Sequence, residues 1–271
     1  MDKDLERLIK GTKKTLENID TMIYNVVVDY LSEELDITDN SIRFNQKNLG
    51  VIDRLSKKAD DFKGTLKKIF DYVLDGIKKL LGLTVTDLKK YDVRAVKTGS
   101  AVTERLLKHA ATVLNKNLSL ELIFADVKQT AISLMSRPES IDLKTMRKVL
   151  KNKVVENKLA TRYFSRWTAD IYSQYQRVGA NEIRKDIGLR FAIYQGGLIE
   201  TSRSFCEQRN NNVYHEDEIK SWENLNFAGK PETGYNPIVD LGGYNCRHRL
   251  DWISDELAFR LRPELKEKYE R

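Results

Sequence analysis

Cysteine and histidine are scarce in this chain, two of one and three of the other in 271 residues. Two cysteines cannot build a disulfide framework, which excludes a small disulfide-stapled extracellular scaffold and makes an intracellular origin the expectation. Long apolar runs are missing too. The longest stretch without a charged side chain, Phe191 to Ile199, has nine residues, against the ~18 that a membrane helix needs; no membrane span is expected. The first residues, Met1-Asp2-Lys3-Asp4-Leu5-Glu6, mix acids and bases around no apolar core, so no secretory leader is expected. Gly-x-Ser-x-Gly, a phosphate-binding glycine loop and His-Glu-x-x-His are all absent, and the chain is expected not to be an enzyme.

What is present is charge. Charged residues make up 32% and hydrophobic ones 41%, the balance of a folded, soluble chain rather than a disordered one. The formal charge of +7 is unevenly placed. Residues 191–271 hold 11 Lys+Arg and 14 Asp+Glu, so the first 190 residues carry the whole basic excess, +10. Three of the four prolines (Pro231, Pro237, Pro263) and both glycine pairs (Gly196-Gly197, Gly242-Gly243) also lie beyond residue 190. Both signals put an organisational boundary near Gly188.

Before that boundary the pattern is helical. Leu5, Ile9, Thr12, Leu16, Ile19, Ile23, Val26 and Tyr30 alternate spacings of three and four, the seam of an amphipathic helix. Capping-type residues Thr38, Asp39, Asn40 and Ser41 interrupt it. The seam resumes from Ile52 through Leu55, Ala59, Phe62, Leu66 and Ile69 to Val73, Ile77 and Leu80. One helix over 42–81 would be about 60 Å long, so a long antiparallel hairpin or coiled coil is expected. Further helices are expected near 101–115, 119–136, 141–157 and 158–187, with Ser140 as an N-cap. The lysine pairs Lys57-Lys58, Lys67-Lys68, Lys78-Lys79 and Lys89-Lys90 read either as a solvated face or as a surface for DNA phosphates or an acidic partner. Acids are interleaved among them, and neither arginine nor aromatic residues cluster with them, which favours the solvated face.

After the boundary the sequence is turn-rich. Phe191-Ala-Ile-Tyr-Gln195 suits a strand ending at Gly196-Gly197. His215-Glu-Asp-Glu-Ile-Lys-Ser-Trp222 reads as a short helix with three acids in its first turn, and Cys246, His248 and Leu250 alternate as on a closing strand. Trp222, Trp252, Tyr235 and Tyr244 are expected to form a small core. The fold class expected is mainly α with a small α+β module. It divides into an elongated helical hairpin at 1–100, a helical bundle at 101–188, a compact strand–loop–strand module at 189–258 and a charged helical tail at 259–271.

Phe191-Ala-Ile-Tyr-Gln-Gly196, Glu200-Thr-Ser-Arg-Ser-Phe-Cys206 and Asn245-Cys-Arg-His-Arg-Leu-Asp-Trp252 together resemble the C-terminal module of phage Mu F-like minor head (head morphogenesis) proteins. That family has a Tyr-x-Gly strand, an acidic-Thr-x-Arg-x-x-Cys turn and a terminal His-Pro-x-Cys-Arg-Cys type motif. The resemblance covers about 158–254. It implies a structural virion protein assembled in the host cytoplasm, bound to the portal protein or the major capsid protein at the portal vertex or capsid interior, in a multi-copy ring or homo-oligomer. It further implies a role in virion assembly or genome packaging and delivery. The basic helical region would be the part to contact packaged double-stranded DNA, as a DNA-binding or ejected cargo protein would. The chain departs from the family where a four-cysteine cluster is expected: Ser202 and Cys206 stand in the first turn, Gly243-Tyr244 replaces His-Pro, and Cys246-Arg247-His248 replaces Cys-Arg-Cys.

Three readings of the remaining residues stay open. Cys206, His215, Cys246 and His248 form a Cys/His set for structural zinc, although Cys-x-His is a tight spacing and His215 also suits an N-cap. Cys206 and Cys246 can instead pair as a disulfide. Or they are buried free thiols beside a hydrogen-bonded histidine. Arg203, Asp240, Arg247 and Arg249 are expected to tie the first turn to the last strand through Arg–carboxylate forks. An enzymatic reading, a phage-borne toxin or nuclease, would need His215 and His248 opposed across a phosphate, or Cys246 with His215 and Glu200. His109 lies in a helical context and reads as a packing residue.

Overall fold

The structure, a computed structural model, describes residues 3–117, 120–137, 139 and 141–270. The expected N-cap Ser140 lies outside them. In chain order come α1 (Lys3–Thr15), α2 (Ile19–Glu34), β1 (Ile37–Thr38), β2 (Ser41–Ile42) and α3 (Gln46–Arg54), then a 3-10 helix over Leu55–Phe62. The long helices α4 (Lys63–Leu88) and α5 (Arg94–Asn117) precede α6 (Glu121–Met135), α7 (Leu143–Lys151), a π-helical turn at Asn152–Glu156 and α8 (Leu159–Ile187). The C-terminal part holds β3 (Phe191–Gln195), α9 (Ser204–Arg209), β4 (Val213–His215), α10 (Glu216–Ser221), a 3-10 turn at Trp222–Asn224, β5 (Arg249–Ile253), α11 (Asp255–Leu261) and α12 (Glu264–Tyr269). The fold is thus mainly α with a small strand-bearing module near the C-terminus.

The described residues form two compact units, one from 3–10, 73–112 and 166–270, the other from 11–72 and 113–165. The consecutive division at 1–100, 101–188, 189–258 and 259–271 is not the one these contacts draw. Periodicity shows which face a helix buries but not which distant segment covers it.

In the second unit the seams are buried but the helices are broken. Asn18, at φ 71°, ends the first helical run. The left-handed residue resets the phase, so Val27, Val28 and Leu31 are buried where Val26 and Tyr30 were expected to be. The single helix expected over 42–81 is instead α3, the 3-10 segment and the start of α4. Its stripe holds nonetheless: Ile52, Leu55, Phe62 and Ile69 are buried, with Phe62 against Phe124 at a ring-centroid distance of 6.1 Å. The break at Asp36–Ser41 is a tight hairpin pairing Ile37 with Ile42 and Thr38 with Ser41. Asp39 and Asn40 both take positive φ, as the two central residues of a type I′ turn must. Asn48, fully buried, holds this hairpin by bonding both the N–H and the carbonyl of Asp36.

In the first unit a three-stranded antiparallel sheet has the order β4-β3-β5. Strand residues alternate between faces, and directly paired residues share one. Phe191, Val213, His215 and Ile253 therefore lie on one side, and Ala192, Tyr194, Tyr214, Leu250 and Trp252 on the other. The first side packs on Ala258 and Leu265 of α11 and α12, each large apolar side chain stabilising by roughly 1.5–3 kcal/mol. The second side meets α8, whose Arg184 guanidinium lies 4.2 Å from the Trp252 ring centroid and bonds Glu216 at 2.8 Å. Helix α8 stops where Gly188 takes φ +79°, a conformation open to glycine at little cost.

Candidate metal centre

Three of the four residues singled out for zinc meet on the α8 side of the sheet. Cys206 arrives on α9, while Cys246 and His248 lie on the run into β5. One donor atom from each lies within 4.8 Å of the others, and all three residues are buried. Cys246 Sγ is 3.8 Å from His248 Nδ1. The His248 imidazole stacks on Tyr194 at 4.9 Å and 25°. Tyr194 donates its hydroxyl to Cys206 Sγ at 3.3 Å and reaches Cys246 Sγ at 3.7 Å. Both thiols are free, so the disulfide reading is not the state of this structure.

Room for the two sulfurs comes from Gly242. A Cβ there would lie 2.4 Å from Cys206 Sγ and 3.2 Å from Cys246 Sγ. Gly196 does the same for His248, whose Cδ2 would be 2.6 Å from an added Cβ. The glycine pairs that marked the boundary in the sequence thus each give one member to this centre.

The thiols differ in their hold on a proton. The hydrogen bond with Cys246, and burial after it, push the Cys206 thiol up. That same bond, followed by the bond with His248 and the charge of Arg177, holds Cys246 well below the ordinary thiol range. Burial likewise pushes the Tyr194 hydroxyl up, so it stays a donor.

His215 is not part of this cluster. It pairs with Phe191 on the opposite face of the sheet from Tyr194. There its Nδ1 accepts from the Asp217 N–H at 3.2 Å, closing a capping box with Glu218, and its ring stacks on Tyr269 at 3.8 Å. Cys246 and His248 lie in the loop just before β5 rather than on the expected strand, while the place of His215 on β4, opposite Phe191, sends it to the other face. The same separation removes the two catalytic arrangements, His215 opposed to His248 and Cys246 with His215 and Glu200. His109 bonds the Tyr175 hydroxyl at 2.8 Å, a packing contact between α5 and α8.

The expected Arg–carboxylate network also takes another form. Arg203 does tie the first turn to the last loop, but through the carbonyls of Gly242 and Tyr244 at 3.0 and 2.7 Å. Asp240 accepts from the Asn236 N–H within its own loop. Arg249 bonds Asp251 on its own strand at 2.6 Å. Half-buried Arg247 is pushed down by burial, against the opposing pull of Asp170. Backbone carbonyls left unpaired in loops are the stronger claimants on a buried guanidinium.

The principal tie was missed: Arg177 of α8. Buried, it donates to the carbonyls of His248 at 3.0 Å, Val239 at 2.7 Å and Cys246. A signal existed in the sequence, since Ser173, Arg177, Asn181 and Arg184 fall on one stripe of α8 and all four are buried.

Three donors of zinc-binding type converge, one fewer than the four of a closed structural zinc site. Zn–S near 2.3 Å and Zn–N near 2.0–2.1 Å in a tetrahedron require donors roughly 3.5 Å apart, and the 3.8 Å between Cys246 Sγ and His248 Nδ1 needs little contraction. His248 Nε2 is buried without a hydrogen-bond partner among the described residues, so no bond on that side dictates the tautomer. The chain matches no protein-family model, no curated protein and no solved structure.

Proposed function

We propose that this chain is a structural minor head protein of a tailed bacteriophage, and that Cys206, Cys246 and His248 hold a structural zinc ion in its C-terminal module. The observation that supports this is convergence. The three segments that resemble the Mu F-like module supply Tyr194, Cys206, Cys246 and His248, up to 54 residues apart, to one buried centre. Such a centre ties loops together, because its sulfurs are covered and its nearest guanidinium is occupied by main-chain carbonyls. Zinc bound there would tie these segments together and supply folding free energy. The partner under this reading is the portal or major capsid protein, with the chain carried in the virion in several copies. Contact with packaged DNA is the weaker version. Some of the exposed lysines pair with nearby acids, as in Lys67–Asp71, Lys63–Asp60 and Lys108–Glu104. Mass spectrometry and symmetric electron-microscopy reconstruction of particles from a phage encoding the chain test the proposal. Copies in a ring at the portal vertex are expected, and particles lacking the chain would refute it.

A further inference from the structure

We propose that Tyr194 completes the zinc site, its phenolic oxygen taking the fourth position of the tetrahedron as a phenolate. The inference rests on the zinc reading and adds to it a ligand from outside the Cys/His set. Three protein donors leave a structural zinc ion one short of its usual four. Among the described residues no further cysteine, histidine or carboxylate joins Cys206, Cys246 and His248. The Tyr194 hydroxyl stands beside both sulfurs, 3.3 Å from Cys206 Sγ and 3.7 Å from Cys246 Sγ. Bonds of about 2.3 Å to sulfur and about 2.0 Å to oxygen put two donors of a tetrahedral zinc ion about 3.5 Å apart. The two observed distances bracket that value.

Gly242 faces the same three atoms. A Cβ added there would meet Cys206 Sγ at 2.4 Å, Cys246 Sγ at 3.2 Å and the Tyr194 hydroxyl oxygen at 3.5 Å. Its bare Cα therefore leaves one hollow toward which both sulfurs and the oxygen turn. The remaining donor comes from beside Tyr194. The His248 imidazole stacks on the Tyr194 ring at 4.9 Å, and its Nδ1 lies 3.8 Å from Cys246 Sγ, so the two rings bring their donor atoms to the same sulfur. Charge is balanced as well. Two thiolates neutralise the ion, and the phenolate leaves one negative charge. Buried Arg177, whose guanidinium bonds the Cys246 carbonyl, offsets it. On binding, two S–H protons and the Tyr194 O–H proton pass to solvent, and the three anions take their place on zinc.

The test titrates the reduced full chain with zinc chloride, read by ultraviolet difference absorbance and, separately, by competition with a chromophoric chelator. The long-wavelength band of one tyrosinate is expected to grow in step with bound zinc. It should be missing in Tyr194→Phe, whose zinc affinity is expected to fall at least about tenfold. Zinc bound without the tyrosinate band would overturn the Tyr194 ligand and leave the zinc reading standing. The same band in Tyr194→Phe, or an unchanged affinity there, would also overturn it. No zinc bound by the unaltered chain would overturn both. Because the band is read on the unaltered chain, it decides the proposal even where Tyr194→Phe fails to fold.

Discussion

Removing the Arg177 side chain tests how the module is held to α8. In Arg177→Ala the carbonyls of Val239, Cys246 and His248 each lose a charged donor in a buried setting. A hydrogen bond to a charged group contributes about 1.5–3 kcal/mol, so three give a ceiling of about 5–9 kcal/mol. Relief of guanidinium desolvation and entry of water offset part of this, as with other buried charges. The expected loss is therefore about 3–5 kcal/mol, a large share of the ~5–15 kcal/mol that folded proteins possess. Arg177→Lys should recover less than half, because an ammonium cannot fork to three carbonyls on separate segments. Urea unfolding followed by tryptophan fluorescence measures it, Trp252 and Trp222 both being buried in this module. A shift below about 1 kcal/mol in Arg177→Ala would show that the three carbonyls are satisfied without the arginine and that the tie is misassigned.

Two further outcomes follow from the same region. Gly242→Ala places a methyl 2.4 Å from Cys206 Sγ, and is expected to cost about 1–3 kcal/mol by overpacking and to weaken metal binding; unchanged stability and metal content would contradict the close approach. Burial holds the His215 imidazole below its ordinary value. The unfolded chain therefore takes up the proton first, and stability present above about pH 6.5 is lost as the pH falls through the range below it. His215→Asn, which keeps an N-cap acceptor, should flatten that slope in urea midpoints compared between pH 7.5 and pH 5.5, and an unaltered slope would exclude His215 as its source.

The sequence carried the helical content and much of the apolar striping, because periodicity is a local property. Ile52, Leu55, Phe62 and Ile69 are buried as spaced, even though a 3-10 segment interrupts the helix between them. Cys246 and His248 were legible as a pair through their i, i+2 spacing. Cys206, 40 residues before Cys246, was grouped with them through a motif resemblance and not through local spacing. His215 carried one local signal against it, its fit as an N-cap, which is the role it takes on α10; nothing local states which face of a three-stranded sheet a residue will occupy. Arg177 was overlooked for the opposite reason. An arginine on a long helix looks solvated until the loop carbonyls it serves, more than 60 residues away, are in view.

Zinc content of the purified full chain tests the central claim most directly. About one equivalent is expected, retained in His215→Asn and lost in Cys206→Ser and in Cys246→Ser. Less than about half an equivalent in the unaltered chain after zinc supplementation, or full retention in both cysteine variants, would contradict the assignment of Cys206, Cys246 and His248 as a metal centre.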